Sequence, residues 1–173
     1  MTRPPRRTLD ERATRLAAAD LLSRKPWTRA DLAVRLRRRG APAETAIAIV
    51  ADLSARGHLD DAAFAQNWVA VRSARGYGAA RLRTELRARG VATALIDAAL
   101  ATVRDDGVDE RAREIARRRL PALQRLEART GSGARVAARL RDYLMRRGYS
   151  GSIATRVARE VTGVSAGTET DAP

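Results

Sequence analysis

Residues 29–53 read RADLAVRLRRRGAPAETAIAIVADL, and residues 79–103 read AARLRTELRARGVATALIDAALATV. Set side by side, Leu32, Leu36, Arg37, Arg39 and Gly40 fall on Leu82, Leu86, Arg87, Arg89 and Gly90, and Ile49, Val50 and Leu53 fall on Ala99, Leu100 and Val103. A third copy, LRDYLMRRGYSGSIATRVAREV at 140–161, puts Leu140, Leu144, Arg147 and Gly148 in the same places. Two leucines at i and i+4 share one helix face, and the glycine four residues after the second supplies the left-handed position that ends a helix. After a short turn, apolar residues recurring at i, i+3, i+4 and i+7 mark a second helix. Pro42 opens that helix in the first copy, where a missing N–H costs nothing.

Each copy is preceded by a further helix that begins with an apolar residue and two acids: Leu9-Asp10-Glu11, Leu59-Asp60-Asp61 and Val108-Asp109-Glu110. The first acid suits an N-cap and the second complements the helix dipole. The unit is therefore three helices, written three times. The pattern predicts helices at roughly 9–25, 28–39, 43–56, 60–75, 78–89, 92–104, 109–129, 134–147 and 151–162. Pro121 is expected to bend the seventh, and TGSG at 130–133 to form a flexible loop. Neighbour-to-neighbour packing of such units implies an all-α, elongated array of three tandem three-helix repeats. The expected organisation is a mobile basic N-terminus (1–8), repeats at 9–56, 57–104 and 105–162, and a disordered tail (163–173). A stacked array closes its own core, so a monomer is expected.

Composition agrees. Of 173 residues 45% are hydrophobic, enough for a core, but only 3% are aromatic, and Ala, Leu and Arg dominate. Those residues favour helix over sheet. With no cysteine, disulfides, thiolate catalysis and Cys-type zinc sites are excluded. The start, MTRPPRR, lacks the apolar stretch of a signal peptide, and no apolar run approaches the roughly 20 residues of a membrane span. A soluble, cytoplasmic protein is expected.

Few residues invite a chemical reading. His58 is the only histidine, cannot form a His-based metal site alone, and reads as a turn residue. Gly76-Tyr77-Gly78 starts like a phosphate loop but lacks the third Gly and the Lys-Ser/Thr pair, so a flexible interhelix turn accounts for it better. Asp60-Asp61 reads as helix capping, and Asp105-Asp106 has no supporting ligands at metal spacing. Phe64, Trp68 and Val71 share a face and read as a buried stripe before a base-stacking platform, while Trp27 is expected to pack at the start of the helix capped by Thr28. No active site, metal or cofactor is expected.

The formal net charge is +14. A surplus of that size makes a polyanion the leading partner class, although a high-GC codon bias also inflates Arg. The arginines cluster at 24–39, 72–89 and 111–147. With Leu32 and Leu36 near 0° and 40° on a helical wheel, Arg37 and Arg38 fall at roughly 140° and 240°, away from the buried side. Arg87 takes the same outward place. Dipole complementation explains one or two arginines per helix, whereas recurrence in three copies suits repeated phosphate contacts along a ribbon.

These residues carry a family resemblance. Leu59-Asp60-Asp61 with Phe64-Ala65, Arg75 to Gly78, and Leu82, Leu86, Arg89 and Gly90 resemble the blocks of the RecX family of RecA regulators. The likeness is close over about 20–104 and looser through 162, and His58 stands where that family usually has Tyr. The resemblance implies a non-enzymatic modulator, generally an inhibitor, of RecA recombinase, ATPase and coprotease activities in DNA recombination, repair and the SOS response. It implies docking in the groove of the RecA filament. Arg37, Arg38, Arg72, Arg75, Arg81 and Arg87 are the candidate contacts to the filament or to the phosphates of single- and double-stranded DNA. A free-standing helix-turn-helix DNA-binding protein is the alternative, against which no second helix offers Asn, Gln and Arg in a run suited to base edges. A scaffold binding only protein is a third class.

Overall fold

A computed structural model describes residues 8–102, 107–127 and 133–164. Among these are nine helices and no strand: α1 (Glu11–Arg24), α2 (Arg29–Arg38), α3 (Ala43–Ala55), α4 (Asp61–Ala74), α5 (Ala79–Ala88), α6 (Thr93–Ala101), α7 (Val108–Glu127), α8 (Gly133–Arg146) and α9 (Gly151–Thr162). The fold is all-α, with three helices to each sequence copy. The expected mobile N-terminus and tail, the Asp105-Asp106 pair and most of the TGSG loop lie outside the described residues, apart from Thr8, Gly163 and Val164 at the ends and Gly133, which opens α8.

The caps explain the boundaries. Asp10 accepts from the Ala13 amide at 2.7 Å, Thr28 from that of Asp31 at 3.1 Å, and Asp60 from those of Ala62 and Ala63. The third acidic pair departs from expectation. Here α7 begins at Val108, and Asp109 pairs instead with Arg156 at 2.7 Å. Pro121 lies inside α7 without ending it.

At the other end, Gly40, Gly90 and Gly148 all adopt left-handed backbone, with φ of 106°, 73° and 93°. In each copy the glycine amide bonds three residues back, and the following amide reaches the second leucine: Ala41 to Leu36, Val91 to Leu86, Tyr149 to Leu144. These are paired 6→1 and 5→2 bonds that close the last carbonyls of a helix.

The described chain forms two compact units that do not follow the repeat boundaries. The first runs through Trp68 and includes Glu85–Ala99, and the second holds Val69–Thr84 and the chain from Leu100 onward. In the first, Leu21, Leu32, Leu36, Ile49, Val50 and Leu59 form a core with Ala18 and Ala46. In the second, Leu140, Leu144, Tyr149 and Val157 pack with Ala112, Ala116, Ala154 and Ala158. Alanines at these contacts let helix axes approach closely. Truncating a leucine such as Leu36, which is fully buried, costs on the order of 2–5 kcal/mol.

Each unit contains one junction between successive repeats, built the same way. In the first, Thr28 Oγ1 donates to the Arg89 carbonyl at 2.7 Å and Gly90 sits against Ala30, where a β-carbon would come within 2.3 Å. In the second, the Gly78 amide donates to the Arg147 carbonyl at 2.8 Å and Ala80 to that of Gly148 at 3.2 Å. A β-carbon on Gly148 would lie 2.5 Å from the Arg81 amide nitrogen. Gly76-Tyr77-Gly78 is therefore a pinned turn; the expectation of flexibility missed its docking against the α8–α9 turn. In the first repeat the Leu9 amide donates to the Gly40 carbonyl at 3.0 Å.

Gly57 is also left-handed, at φ +76°, but a β-carbon there would have no neighbour within 4 Å, whereas Gly148 is crowded by backbone. Gly57→Ala is expected to cost only the backbone strain, about 1–2 kcal/mol. Gly148→Ala must also part α5 from the α8–α9 turn, so its chemical denaturation midpoint, followed by circular dichroism, should fall well below that of Gly57→Ala. Equal midpoints would deny the junction its role.

Candidate nucleic-acid interface

The arginines divide into those held by acids and those that are not. Arg24 and Arg39 both pair with Asp20, Arg15 and Arg56 with Asp52, Arg29 with Asp61, and Arg89 with Asp31. Further along, Arg113 and Arg117 pair with Glu110, Arg113 also with Glu160, Arg118 with Glu114, Arg139 with buried Glu127, and Arg141 with Asp142. The clustering of arginines in sequence overstates the unpaired charge, because several partners lie 19 to 58 residues away.

Against that background Arg37 and Arg38 are exposed on the last turn of α2, and Arg87 is exposed on the last turn of α5. Arg75, just past α4, is exposed too. Among the described residues none of these four side chains makes an ion pair or hydrogen bond. Arg37, Arg38 and Arg87 belong to the first unit, and Arg75 to the second.

Arg72 and Arg81, the remaining candidates, are drawn together in the second unit around Tyr77. The Arg72 guanidinium lies 3.9 Å from the ring centroid and that of Arg81 5.2 Å. Arg72 is half-buried, and Arg81 also donates to the Arg146 carbonyl at 3.4 Å. A third cation joins them: Arg147 lies 5.1 Å from the ring and donates to the carbonyls of Arg75 and Gly76. Stacking of this kind stabilises the turn while leaving charge near the surface.

Arg39, Arg89 and Arg147 share the position before the helix-ending glycine, and all three turn inward. Arg89 lies 4.2 Å over Trp68 and 5.9 Å from Phe64. The expected buried stripe is corrected accordingly. Phe64 and Trp68 are stacked but only half-buried, covered by a guanidinium rather than by core, and Val71 is 43% exposed. Trp68 Nε1 donates to Glu85 at 3.1 Å. Trp27 is fixed by its Nε1 donating to the Leu21 carbonyl at 2.9 Å, with Lys25 over its ring. His58 is an exposed turn residue.

Comparison with known proteins agrees with this architecture. Residues 60–100 match the family profile described as RecX, second three-helix domain. Regulatory protein RecX of Streptomyces coelicolor is 36% identical over 158 residues, covering 91% of this chain and 80% of that protein. The chain belongs to the RecX family. RecX of Ectopseudomonas mendocina is 38% identical over 85% of this chain and 93% of its own length. The crystal structure of RecX from Lactobacillus salivarius superposes with a TM-score of 0.70 at 18% identity, over 89% of this chain and 97% of that one. A second RecX crystal structure gives a TM-score of 0.70 at 23% identity, over 90% and 74% of the two chains. These two show the shared helical fold. The relatives are named as regulatory proteins, and this chain is a regulator of the RecX type. Among the described residues no helix is long and apolar enough to cross a membrane, and no group of His, Cys, Asp or Glu is placed to hold a metal.

The paired arginines leave a measurable trace in this RecX chain. Hydrogen bonds from Arg24 and then Arg39 hold the Asp20 carboxyl below its ordinary value of 3.8, and Arg15 and Arg56 do the same to Asp52. The stability they add is complete above the ordinary aspartate range and is lost as pH falls through the lowered native values. Both sites are solvent-screened, so the contribution is small and weakens with salt. At low salt the melting temperature should hold from neutral pH to about 5 and decline below it. The Asp20→Asn/Asp52→Asn variant should show a shallower decline; an unchanged slope would remove these pairs from the acid response.

Proposed function

We propose that this chain docks on the RecA–DNA filament and restrains the recombinase, ATPase and coprotease activities of RecA. Family membership supports the regulatory half of this reading. The observation that carries the nucleic-acid half is the set of exposed, unpaired guanidiniums at matching helix ends: Arg37 and Arg38 on α2 and Arg87 on α5. A guanidinium with no carboxylate partner keeps its donors for phosphate, and repetition at helix ends suits a long polyanion read without regard to sequence. Arg72 and Arg81 beside Tyr77, together with exposed Arg75, form the corresponding candidate group in the second unit. The protein acts as a monomer in the cytoplasm, on filaments formed over single- or double-stranded DNA, as a binding protein rather than an enzyme, with no cofactor.

Adding the protein below stoichiometry to the cognate RecA on single-stranded DNA should slow ATP hydrolysis. Arg37→Glu/Arg38→Glu/Arg87→Glu should lose most of that effect with helicity unchanged. It should also lower the slope of log affinity against log salt on single strands by roughly 0.7 per contact removed. No change in hydrolysis with the unaltered protein would refute the filament reading. A sequence-specific footprint without RecA would replace it with the helix-turn-helix alternative.

A further inference from the structure

In the second unit the first turns of α5, α7 and α9 face a common cleft of about 390 Å³. The ends of α4, α6 and α8 reach the same cleft through Ser73, Leu100 and Gly148, so the opposed helix dipoles offset one another and the charge of the site comes from side chains. Arg83 and Arg111 add two guanidiniums, and among the described residues no carboxylate lines the walls. The acids on the first turn of α7 are engaged elsewhere, Asp109 with Arg156 and Glu110 with Arg113 and Arg117.

Two side chains that line the cleft make no hydrogen bond or ion pair among the described residues. Arg111 is half-buried yet makes no ion pair or hydrogen bond among the described residues. Tyr149 is only 6% exposed, and its hydroxyl makes no hydrogen bond. No fully buried side-chain oxygen among the described residues lacks a partner, so that hydroxyl keeps accessible surface, and Tyr149 lines the cleft. Burial raises the Tyr149 pKa, while the charges of Arg111 and Arg147 act in the opposite direction. A half-buried cation and a hydroxyl free to donate, both lining one cleft, suit an anionic ligand.

The rest of the wall is apolar: Leu82, Leu100, Val108 and Ile153. A bare phosphate would leave this surface unused, and the cleft has the volume of a small-ligand site. We infer that the cleft binds a nucleoside phosphate, with Arg111 and the Tyr149 hydroxyl on the phosphate and the base against the apolar wall. The nucleotide is either free or one unit of a single strand splayed from its neighbours; the strand source rests on the filament reading, the free source does not.

Equilibrium dialysis of the full chain, without RecA, against dAMP, inorganic phosphate, deoxyadenosine and an oligodeoxyadenylate tests this. Binding of dAMP is expected to exceed that of phosphate or deoxyadenosine, and Tyr149→Phe and Arg111→Gln should each weaken it about tenfold or more with helicity intact. If only the oligonucleotide binds and both variants weaken it, the strand is the source. If dAMP binds, the free nucleotide is a ligand in its own right. The inference is overturned if neither dAMP nor the oligonucleotide binds at millimolar concentration, if phosphate or deoxyadenosine binds as tightly as dAMP, or if both variants bind like the parent. Since RecA is absent, failure here leaves the filament reading untouched. Conversely, loss of the hydrolysis effect would not alter dAMP binding.

Discussion

One backbone constraint recurs through this protein: a residue with positive φ, and without a side chain, must follow the second helix of every repeat. Gly40, Gly90 and Gly148 meet it. The left-handed turn closes the last helical carbonyls, and the missing β-carbon lets the neighbouring segment approach to contact distance at Gly90 and Gly148. Termination and docking are thus served by the same atoms. That is why both junctions use the carbonyl of the residue just before the glycine, accepting from a hydroxyl at Thr28 and from a backbone amide at Gly78. The chemistry of the donor changed between copies, while the acceptor stayed where the turn puts it.

The same turn sorts the arginines. A residue immediately before the glycine sits at the helix end, within reach of the packed elements. Arg39, Arg89 and Arg147 accordingly hold Asp20, Asp31 with the Trp68 face, and the carbonyls of Arg75 and Gly76. Three residues before the glycine the helix has turned through roughly 200° from there, and Arg37 and Arg87 point to solvent. Charge count alone does not separate these roles. Position relative to the turn does.

Much of this was legible in the amino-acid order. Local signals worked because they act within a few residues: the leucine pair, the glycine, and the Asp10, Thr28 and Asp60 caps all appear where short-range chemistry requires them. What the order concealed depends on tertiary distance. Asp61 was expected to serve the helix dipole, but it is buried and accepts from both the amide and the guanidinium of Arg29, 32 residues earlier. Phe64 and Trp68 had the spacing of a core stripe, yet a cation 21 residues beyond Trp68 covers them. Of the six candidate contacts, the wheel identified Arg37, Arg38 and Arg87 by their distance from the leucine face. It could not show that Arg72 and Arg81 meet over one tyrosine ring.

The third copy shows how far the repeat carries functional meaning. Three positions before its glycine, where the first two copies have Arg37 and Arg87, stands Met145, 49% exposed. A thioether offers no donor to phosphate and is more at home against an apolar or protein surface. In the same repeat Arg113, Arg117 and Arg118 of α7 and Arg139 and Arg141 of α8 are engaged, with Glu110, Glu114, Glu127, Asp142 and Glu160 as partners. The scaffold was copied three times because the helix-ending turn and its leucines are needed to build each core. The outward charge at this position was kept only twice, so structural equivalence between repeats does not make their surfaces equivalent, and a phosphate contact assigned to Arg37 or Arg87 has no counterpart in the third.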